Sequence, residues 1–281
     1  MSIITMENLD HFYLPGTPYA KRALQGLNLS LGKGEFLGIF GPNGSGKSTL
    51  AQHLNGLLLP SAGTISICGL NPAHPKSRRE LWKKVSLVFQ YPEQQIFQLT
   101  IYDEVAYGPR NMGLSETETR RRADKALKDV GLTLEDIAEL SPFTLSGGMK
   151  RRVAIAGMLA LQPEILVLDE PMAGLDPLGR KLIIDIIKAR QQRNETTIMI
   201  SHNLKEILPL ADKIAILDDG ILTFYGSAQQ LSINQELLQK YHLQMPDYMQ
   251  VIYALTSQGH QLPSHLDSLA AVGEELIRIC S

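Results

Sequence analysis

The stretch Gly41-Pro42-Asn43-Gly44-Ser45-Gly46-Lys47-Ser48 decides the fold class of this chain. It matches the pattern G-x-x-x-x-G-K-S/T and lies between a predicted strand, 36–40, and a predicted helix that begins at Lys47. Such glycines let backbone N–H groups surround phosphate oxygens, and the helix N-terminus adds the positive end of its dipole. Lys47 would then reach the β- and γ-phosphates, and the Ser48 hydroxyl would bind Mg²⁺. The alternative interpretation is a glycine-rich turn with a chance lysine.

Polar residues follow two other predicted strands. The apolar run 165–168 is typical of a buried parallel strand and ends at Asp169 and Glu170. Because open α/β sheets bind ligands at the carboxyl ends of their strands, Asp169 is a candidate Mg²⁺ ligand and Glu170 a candidate general base. His202 follows the predicted strand 196–200 and is a candidate contact of the γ-phosphate. The alternatives are a solvated pair of acids and a histidine without a ligand.

Strand and helix patterns alternate along the chain, which predicts an α/β fold with right-handed crossovers. The predicted strands lie at 3–9, 24–31, 35–40, 63–67, 85–89, 165–168, 196–200 and 213–217, and the clearest helices at 47–57, 115–130, 176–193 and 203–211. A polar, helical block at about 91–160 interrupts this alternation and is predicted to form a separate subdomain.

Composition excludes several classes of protein. Of 281 residues, 44% are hydrophobic and 20% charged, which is typical of a globular domain and not of a disordered or fibrous chain. A net charge of −2 provides no dominant attraction to nucleic acid or anionic lipid. Cys68 and Cys280 fit neither a disulfide framework nor a metal site, so we expect them to be reduced. Without a predicted membrane span or signal peptide, the chain is expected in the cytoplasm, with any membrane contact made through a partner.

The segment Leu145-Ser146-Gly147-Gly148 resembles the signature motif of ATP-binding cassette (ABC) ATPases. The other motifs of that family follow in order: Tyr13 as the aromatic that stacks on adenine, Gln90 at the Q-loop, 173–176 as the D-loop and His202 as the switch histidine. The resemblance covers about 1–230. It implies an ABC ATPase fold with a P-loop RecA-like core, an N-terminal antiparallel β subdomain and a helical signature subdomain at about 91–160. It also implies a small C-terminal helical extension, 231–281, that contributes to dimerisation.

The resemblance also assigns roles to residues. It implies that Mg²⁺ is bound by Ser48, Gln90 and Asp169 and that Glu170, His202 and Gln90 are catalytic. In the family, the signature motif of one cassette closes over the ATP held by the P-loop of another, and hydrolysis reopens the dimer. The residues implied to bind ATP are Tyr13, Gly41, Pro42, Asn43, Gly44, Ser45, Gly46, Lys47, Ser48, Thr49, Ser146, Gly147 and Gly148.

Two residues depart from the family pattern. Met149 stands where the signature usually has Gln, and Met172 stands where Thr or Ser usually follows Glu170-Pro171. We expect these departures to affect the turnover rate rather than the reaction.

Narrower features resemble the ATPases of energy-coupling factor (ECF) transporters. These features are the segments 16–18, 52–57, 90–93 and 151–157. In the last segment, Gly157 stands where most cassettes have an arginine. The resemblance implies an ATP-hydrolysing subunit that powers uptake of a vitamin or a transition-metal ion. Its expected partners are a related ATPase or a second copy, a membrane coupling protein and a substrate-binding membrane subunit, at the cytoplasmic face of the membrane.

Two alternatives stay open at this point. One is a cassette of another ABC transporter class. The other is a soluble ABC ATPase acting on nucleic acid, suggested by the basic clusters 120–122 and 150–152. A charged helix face explains the first cluster better, and the second directly follows the signature, so we expect no nucleic-acid partner.

The surface that follows Gln90 is the predicted contact with the membrane partner. In the family, this surface receives coupling helices that carry arginines. Glu93, Asp103 or Glu104 would pair with those arginines, or would alternatively belong to a solvated helix face.

Overall fold

Two β-sheets organise the chain in the computed structural model, which describes residues 2–260, 262, 266 and 269–280. The smaller sheet is antiparallel and has the strand order β2-β1-β4. Its strands are β1 (Ser2–Tyr13), β2 (Lys21–Gly32) and β4 (Ala62–Ile67). This sheet agrees with the expected N-terminal antiparallel layer.

The larger sheet has the order β5-β6-β7-β3-β8-β9 in the described part of the chain. Its strands pair in parallel except at one edge, where β9 runs antiparallel to β8. The strands are β3 (Phe36–Phe40), β5 (Val85–Val88), β6 (Ile165–Asp169), β7 (Thr196–Ile200), β8 (Lys213–Asp218) and β9 (Ile221–Gly226). Every residue of β3, β6 and β7 is buried, as expected for parallel strands covered on both faces.

Helices cover this sheet and form the block that interrupts it. They are α1 (Lys47–Leu54), α2 (Pro75–Leu81), α3 (Ile101–Asn111), α4 (Glu116–Asp129), α5 (Leu134–Ile137), α6 (Gly147–Ala160), α7 (Pro177–Gln192), α8 (Leu204–Ile207), α9 (Ala228–Ser232), α10 (Gln235–Lys240), α11 (Asp247–Ser257) and α12 (Leu269–Cys280). Short 3₁₀ turns occupy Pro92–Gln95 and Pro142–Thr144. The predicted start of α4 is confirmed, because the Ser115 side chain accepts a hydrogen bond from the Glu118 N–H.

Several elements differ from the prediction, and α1 ends at Leu54 rather than at about Leu57. The strand β9 and the helix α2 were not predicted, and α8 ends at Ile207 rather than at Ala211. The edge strand β9 follows β8 after only two residues, without an intervening helix, so the alternation of strands and helices does not indicate it. The helix α2 is short and highly charged, so its single buried residue, Leu81, gives no periodic signal.

The hydrophobic core lies in two layers on opposite faces of the larger sheet. Along β6, Leu166 and Leu168 belong to one layer, whereas Ile165 and Val167 belong to the other. The sheet is therefore held rigidly from both sides, which fixes the positions of the residues at its carboxyl edge. No helix among the described residues is long and apolar enough to span a membrane.

Cys68 is free and half-buried, and burial raises the pKa of its thiol to about 11. A thiol in this state is unreactive at neutral pH, which agrees with the expectation for this cysteine. The side chain of Cys280 lies outside the described residues.

Candidate functional site

A cavity of about 630 Å³ lies at the carboxyl edge of the larger sheet. It brings together residues that are far apart in the sequence, including Tyr13, Gln90, Glu170 and His202. The remaining predicted residues on its wall are Gly41, Pro42, Asn43, Gly44, Gly46, Lys47, Ser48, Thr49 and Asp169. Ser45 does not line this cavity, since its side chain is buried and its carbonyl accepts a hydrogen bond from the Gly220 N–H.

The glycines of the P-loop are required by close packing. Gly46 has φ of 101°, and a Cβ added there would lie 2.5 Å from the Ala23 carbonyl oxygen. A Cβ at Gly41 would lie 2.1 Å from the carbonyl oxygen of Leu217. The loop is thus packed between β2 and β8, and neither position leaves room for a side chain.

The Lys47 side chain folds back onto the P-loop and forms hydrogen bonds with its backbone. Its Nζ donates to the carbonyl oxygens of Gly41, at 2.8 Å, and Pro42, at 2.9 Å. Burial lowers the pKa of Lys47, while the nearby carboxylates of Glu170 and Asp169 act in the opposite direction. A phosphate oxygen in the cavity could replace either carbonyl as an acceptor for this ammonium group.

Two oxygen ligands lie beside Lys47. The Ser48 hydroxyl donates to Asp169 Oδ2 at 3.0 Å, which joins the start of α1 to the end of β6. Burial raises the pKa of Asp169, and the hydrogen bond from Ser48 opposes that shift. A hydroxyl and a buried carboxylate suit Mg²⁺, which prefers hard oxygen ligands and completes its coordination with water and phosphate. No group of three or more His, Cys, Asp or Glu among the described residues forms a metal site by itself.

Glu170 and His202 contact each other directly. Glu170 Oε1 accepts from the His202 backbone N–H at 2.8 Å, and Glu170 Oε2 lies 2.8 Å from His202 Nδ1. The Glu170 side chain is 12% exposed, whereas that of His202 is 67% exposed. Glu170 also has a positive φ of 50°, which is uncommon for a residue with a side chain. The Glu170 carboxylate therefore lies sheltered at the ends of the strands, and the His202 side chain lies at the exposed edge of the cavity.

The cavity wall includes the predicted Tyr13 and also residues that were not predicted from the sequence. Tyr13 is 37% exposed and its hydroxyl lies 3.1 Å from Thr49 Oγ1, which attaches β1 to the P-loop helix. Lys21, Ala23 and Phe40 also line the cavity. Lys21 is the antiparallel partner of Tyr13 in the β1–β2 register, so knowledge of the strand pairing would have identified it.

The signature segment lies outside this cavity. Ser146 caps α6 by accepting a hydrogen bond from the Met149 N–H at 3.4 Å. Apart from chain neighbours and the backbone of α6, no atom of the described residues lies within 4 Å of a Cβ added at Gly147 or Gly148. Ser146 and Gly148 border a different cleft, of about 290 Å³, together with Gly174 and Asp176 of the predicted D-loop. One chain thus does not bring its own signature to its own P-loop.

The two unusual methionines occupy different environments. Met172 is 2% exposed and belongs to a core layer, so an apolar side chain suits that position. Met149 is half-buried on the first turn of α6 and borders the signature cleft. Met172 therefore packs in the core, whereas Met149 lies at the surface beside the signature cleft.

Contacts within the chain occupy much of the two basic clusters. Arg121 and Arg122 both bind Glu118, and the Arg120 guanidinium lies over the Tyr102 ring. Arg151 is only 6% exposed. These contacts favour a structural explanation of the clusters over a nucleic-acid surface.

Two of the three acids predicted to meet the membrane partner are bound within the chain. Asp103 Oδ1 accepts from Arg110 Nη1 at 2.8 Å, and Glu104 Oε2 accepts from the Phe97 and Gln98 N–H groups at 3.1 and 2.9 Å. They fix the start of α3. Glu93 Oε2 is buried and has no hydrogen-bond partner among the described residues.

Comparison with known protein families supports a nucleotide site. The model of the ABC transporter family matches residues 24–173, which include the P-loop, the signature and the strand that ends at Asp169. The energy-coupling factor transporter ATP-binding protein EcfA2 of Clostridium perfringens is 42% identical over 278 residues, covering 98% of each chain.

Solved structures show the same fold. CbiO1 of Clostridium perfringens, described as part of the ABC transporter complex cbiONQ, has a TM-score of 0.71 at 35% identity, covering 91% of this chain and 99% of that one. An ATP-binding cassette in a dimeric, post-hydrolysis state bound to ADP and Pi also has a TM-score of 0.71. It is 30% identical and covers 80% of this chain and 98% of that one.

Proposed function

This chain belongs to the ABC transporter family, and we propose that it is the ATP-hydrolysing subunit of an energy-coupling factor importer. The observation that carries the ATPase assignment is the meeting of Lys47, Ser48, Asp169, Glu170 and His202 in one cavity. The importer type is supported by the near full-length similarity to proteins named energy-coupling factor transporter ATP-binding proteins.

ATP would bind with its phosphates at the N-terminus of α1. The P-loop N–H groups and the Lys47 ammonium would contact the phosphates, and Tyr13 would stack on the base at the other end of the cavity. Ser48, Asp169 and Gln90 would hold Mg²⁺, whose chemistry when bound is to neutralise charge on the phosphates. The adjacent Ser48 and Asp169 oxygens support this assignment.

Glu170 is proposed as the general base. Its carboxylate would accept a proton from the water that attacks the γ-phosphorus, and the bond between that phosphorus and the bridging oxygen would break. The products are ADP and inorganic phosphate. His202, hydrogen-bonded to Glu170, would contact the γ-phosphate and orient the water. The water must lie near both side chains, which the cavity accommodates.

A second cassette would complete the site. The exposed Ser146 hydroxyl and the open backbone at Gly147 and Gly148 form the N-terminus of α6, which favours an anion. We assign this surface to the γ-phosphate of ATP bound to another chain, either a second copy or a related ATPase. ATP would then shift the population towards the closed pair, and loss of the γ-phosphate would reopen it. The C-terminal extension, 231–281, would contribute to this pairing.

The membrane partner would bind next to the Q-loop. A groove of about 540 Å³ lies there, lined by apolar residues that include Trp82, Phe97 and Tyr107 and by Gly157. A Cβ at Gly157 would approach only the Glu104 carbonyl, at 3.8 Å, so glycine keeps this groove open. A coupling protein docked here would place the chain at the cytoplasmic face of the membrane. The cargo, a vitamin or a transition-metal ion, would be chosen by a separate membrane subunit.

Affinity purification from detergent-solubilised membranes of the native host tests this proposal. We expect the tagged chain to co-purify with a multi-span membrane protein and a smaller membrane subunit. Gly157→Arg, which fills the groove, should abolish co-purification, whereas Ile221→Arg on the opposite edge strand should not. Recovery of ribosomal proteins or nucleic acid, without a membrane protein, would contradict the importer assignment and leave the ATPase assignment standing.

A further inference from the structure

Arg151 is a buried cation in the first turns of α6, five residues beyond Ser146 of the signature. Its guanidinium does not form an ion pair with a carboxylate among the described residues. Instead, Nη1 donates to the Ala173 carbonyl at 2.9 Å, and Nη2 donates to the carbonyls of Glu170 and Pro171, both at 3.0 Å. Three successive hydrogen bonds thus attach the signature helix to the loop that begins at Glu170.

The backbone that Arg151 holds is strained at the candidate base. Glu170 has a left-handed backbone conformation, with φ of 50°, which persists in residues with a side chain only when the surroundings impose it. Its N–H donates to the Ile200 carbonyl at 2.9 Å, so β7 fixes one side of the residue. Its carbonyl is fixed on the other side by Arg151 and by the Ala173 N–H, at 3.2 Å. The direction of the Glu170 side chain depends on both anchors.

The chemistry of the side chain at position 151 suits this task. A guanidinium presents several donors in a rigid planar fork, so it can bind three carbonyls at once, whereas an ammonium group cannot match that geometry. Burial lowers the pKa of Arg151, and the carboxylate of Glu93 opposes that shift. The protein thus buries a charge without a direct counter-ion. The desolvation cost of that burial is offset only by the hydrogen bonds that the guanidinium makes to the three carbonyls.

We infer that Arg151 is a positioning residue for hydrolysis, which transmits the position of the signature helix to Glu170 within the same chain. The inference rests on the proposed role of Glu170 as general base. When a second nucleotide site closes on Ser146, α6 is fixed from outside, and the three Arg151 hydrogen bonds carry that constraint to the backbone of Glu170. The position of Glu170 in each chain then depends on whether the signature of that chain contacts the nucleotide of the other chain.

Single substitutions give the first test, with the full-length chain and MgATP. Arg151→Met should lower kcat about 10-fold and leave the Kd for ATP within about 2-fold, because the phosphate contacts lie on the P-loop. Arg151→Lys keeps the charge and part of the hydrogen bonding, so its kcat should fall less than that of Arg151→Met. This variant also provides a test if Arg151→Met fails to fold. Arg122→Met is the matched control: that sheltered arginine binds Glu118 and the Leu161 carbonyl, so its loss should affect the melting temperature but not kcat.

A double-mutant cycle with Glu170→Gln decides whether Arg151 acts through Glu170. If it does, Arg151→Met should cause no further loss of turnover in the Glu170→Gln background. Losses that multiply, or a Kd for ATP that rises in parallel with the fall in kcat, would overturn the inference and leave Arg151 a packing residue. Failure of the proposed function is distinguishable, since Glu170→Gln would then hydrolyse ATP as fast as the unsubstituted chain.

Discussion

Two glycine-rich segments of this chain each begin a helix, but one is buried by the surrounding protein and the other is exposed. The P-loop before α1 is enclosed: Lys47 is 8% exposed, its Nζ has two carbonyl partners, and Gly46 is in close contact with β2. The signature before α6 is open: Ser146 is exposed, and the space beside Gly147 and Gly148 is empty to 4 Å. Both helix N-termini favour an anion, but the first borders the cavity that holds Asp169 and Glu170, whereas the second borders a separate cleft without P-loop residues.

The difference indicates a shared site. In the proposed function, the enclosed segment and the carboxylates beside it bind and hydrolyse the nucleotide, and the open segment binds the phosphate held by another chain. A second cassette would bring an open signature to each enclosed P-loop. Substitutions in the two halves should therefore have separable effects.

Glu170→Gln should separate binding from hydrolysis in the enclosed half. Gln keeps the shape of the side chain and an oxygen that can accept from the His202 N–H, so the Kd for ATP should change less than about 3-fold. Turnover should fall about 1000-fold, since a positioned general base contributes on the order of 10² to 10⁴. Single-turnover hydrolysis measured beside ATP binding checks both numbers, and His242→Gln, at an exposed position, serves as the unaffected control. Ordinary turnover by Glu170→Gln would remove the base assignment.

Acid should destabilise the enclosed half through His53. This residue of α1 is fully buried beside His11, and burial first, then His11, lower its pKa to about 4. The unfolded chain takes up this proton near the ordinary pKa of 6.5. Because the unfolded state binds more protons between these values, stability is lost as pH falls from about 6.5 to about 4, by about 3 kcal/mol in total.

Urea unfolding at a series of pH values measures this effect. His53→Leu should flatten the pH dependence of unfolding free energy relative to the unsubstituted chain, while His242→Gln should leave it unchanged. An equal slope in the His53→Leu chain would show that other groups cause the acid sensitivity.

Lys47→Ala should weaken nucleotide binding without touching the open half. The substitution removes a charged donor to the phosphates, and hydrogen bonds of that kind contribute about 1.5–3 kcal/mol, so the Kd for ATP should rise about 100-fold. Calorimetric titration with ATP tests this. Lys21→Ala, on the same cavity wall but away from the P-loop, is the comparison; an equal loss there would mean that the cavity attracts ATP by charge alone.

Ser146→Ala should have the smallest effect on the isolated chain. The Ser146 hydroxyl caps α6, and loss of such a cap costs about 1 kcal/mol in unfolding free energy. ATP binding to the P-loop should be unaffected. Ser146→Asn, which can still cap the helix, should restore stability, and a weaker Kd for ATP in the Ala variant would contradict the separation of the two halves.

Most of the enclosed half could be predicted from the sequence, because its signals are local. A P-loop is contiguous. Asp169 and Glu170 lie at the end of β6 and His202 lies two residues beyond β7, so the carboxyl-edge rule places them together. Lys21 and Phe40 were missed because their positions depend on strand pairing and on side-chain direction at a strand end. The role of Arg151 was missed because a basic run directly after the signature reveals neither burial nor three carbonyl contacts. Asp103 was one of three acids predicted to pair with a partner's arginines or to lie on a solvated helix face. Its bond to Arg110 was not predicted, because that bond depends on the side-chain conformations along α3.

Two copies of the chain joined by a flexible linker give the most direct test of the shared site. In one arrangement, Lys47→Ala is placed in the first copy and Ser146→Arg in the second; in the other, both substitutions are placed in the first copy. If the signature acts on the ATP of the other copy, the first arrangement keeps one intact site and hydrolyses ATP, and the second has none. If the signature acts within its own copy, the activities reverse, and that result would contradict the account.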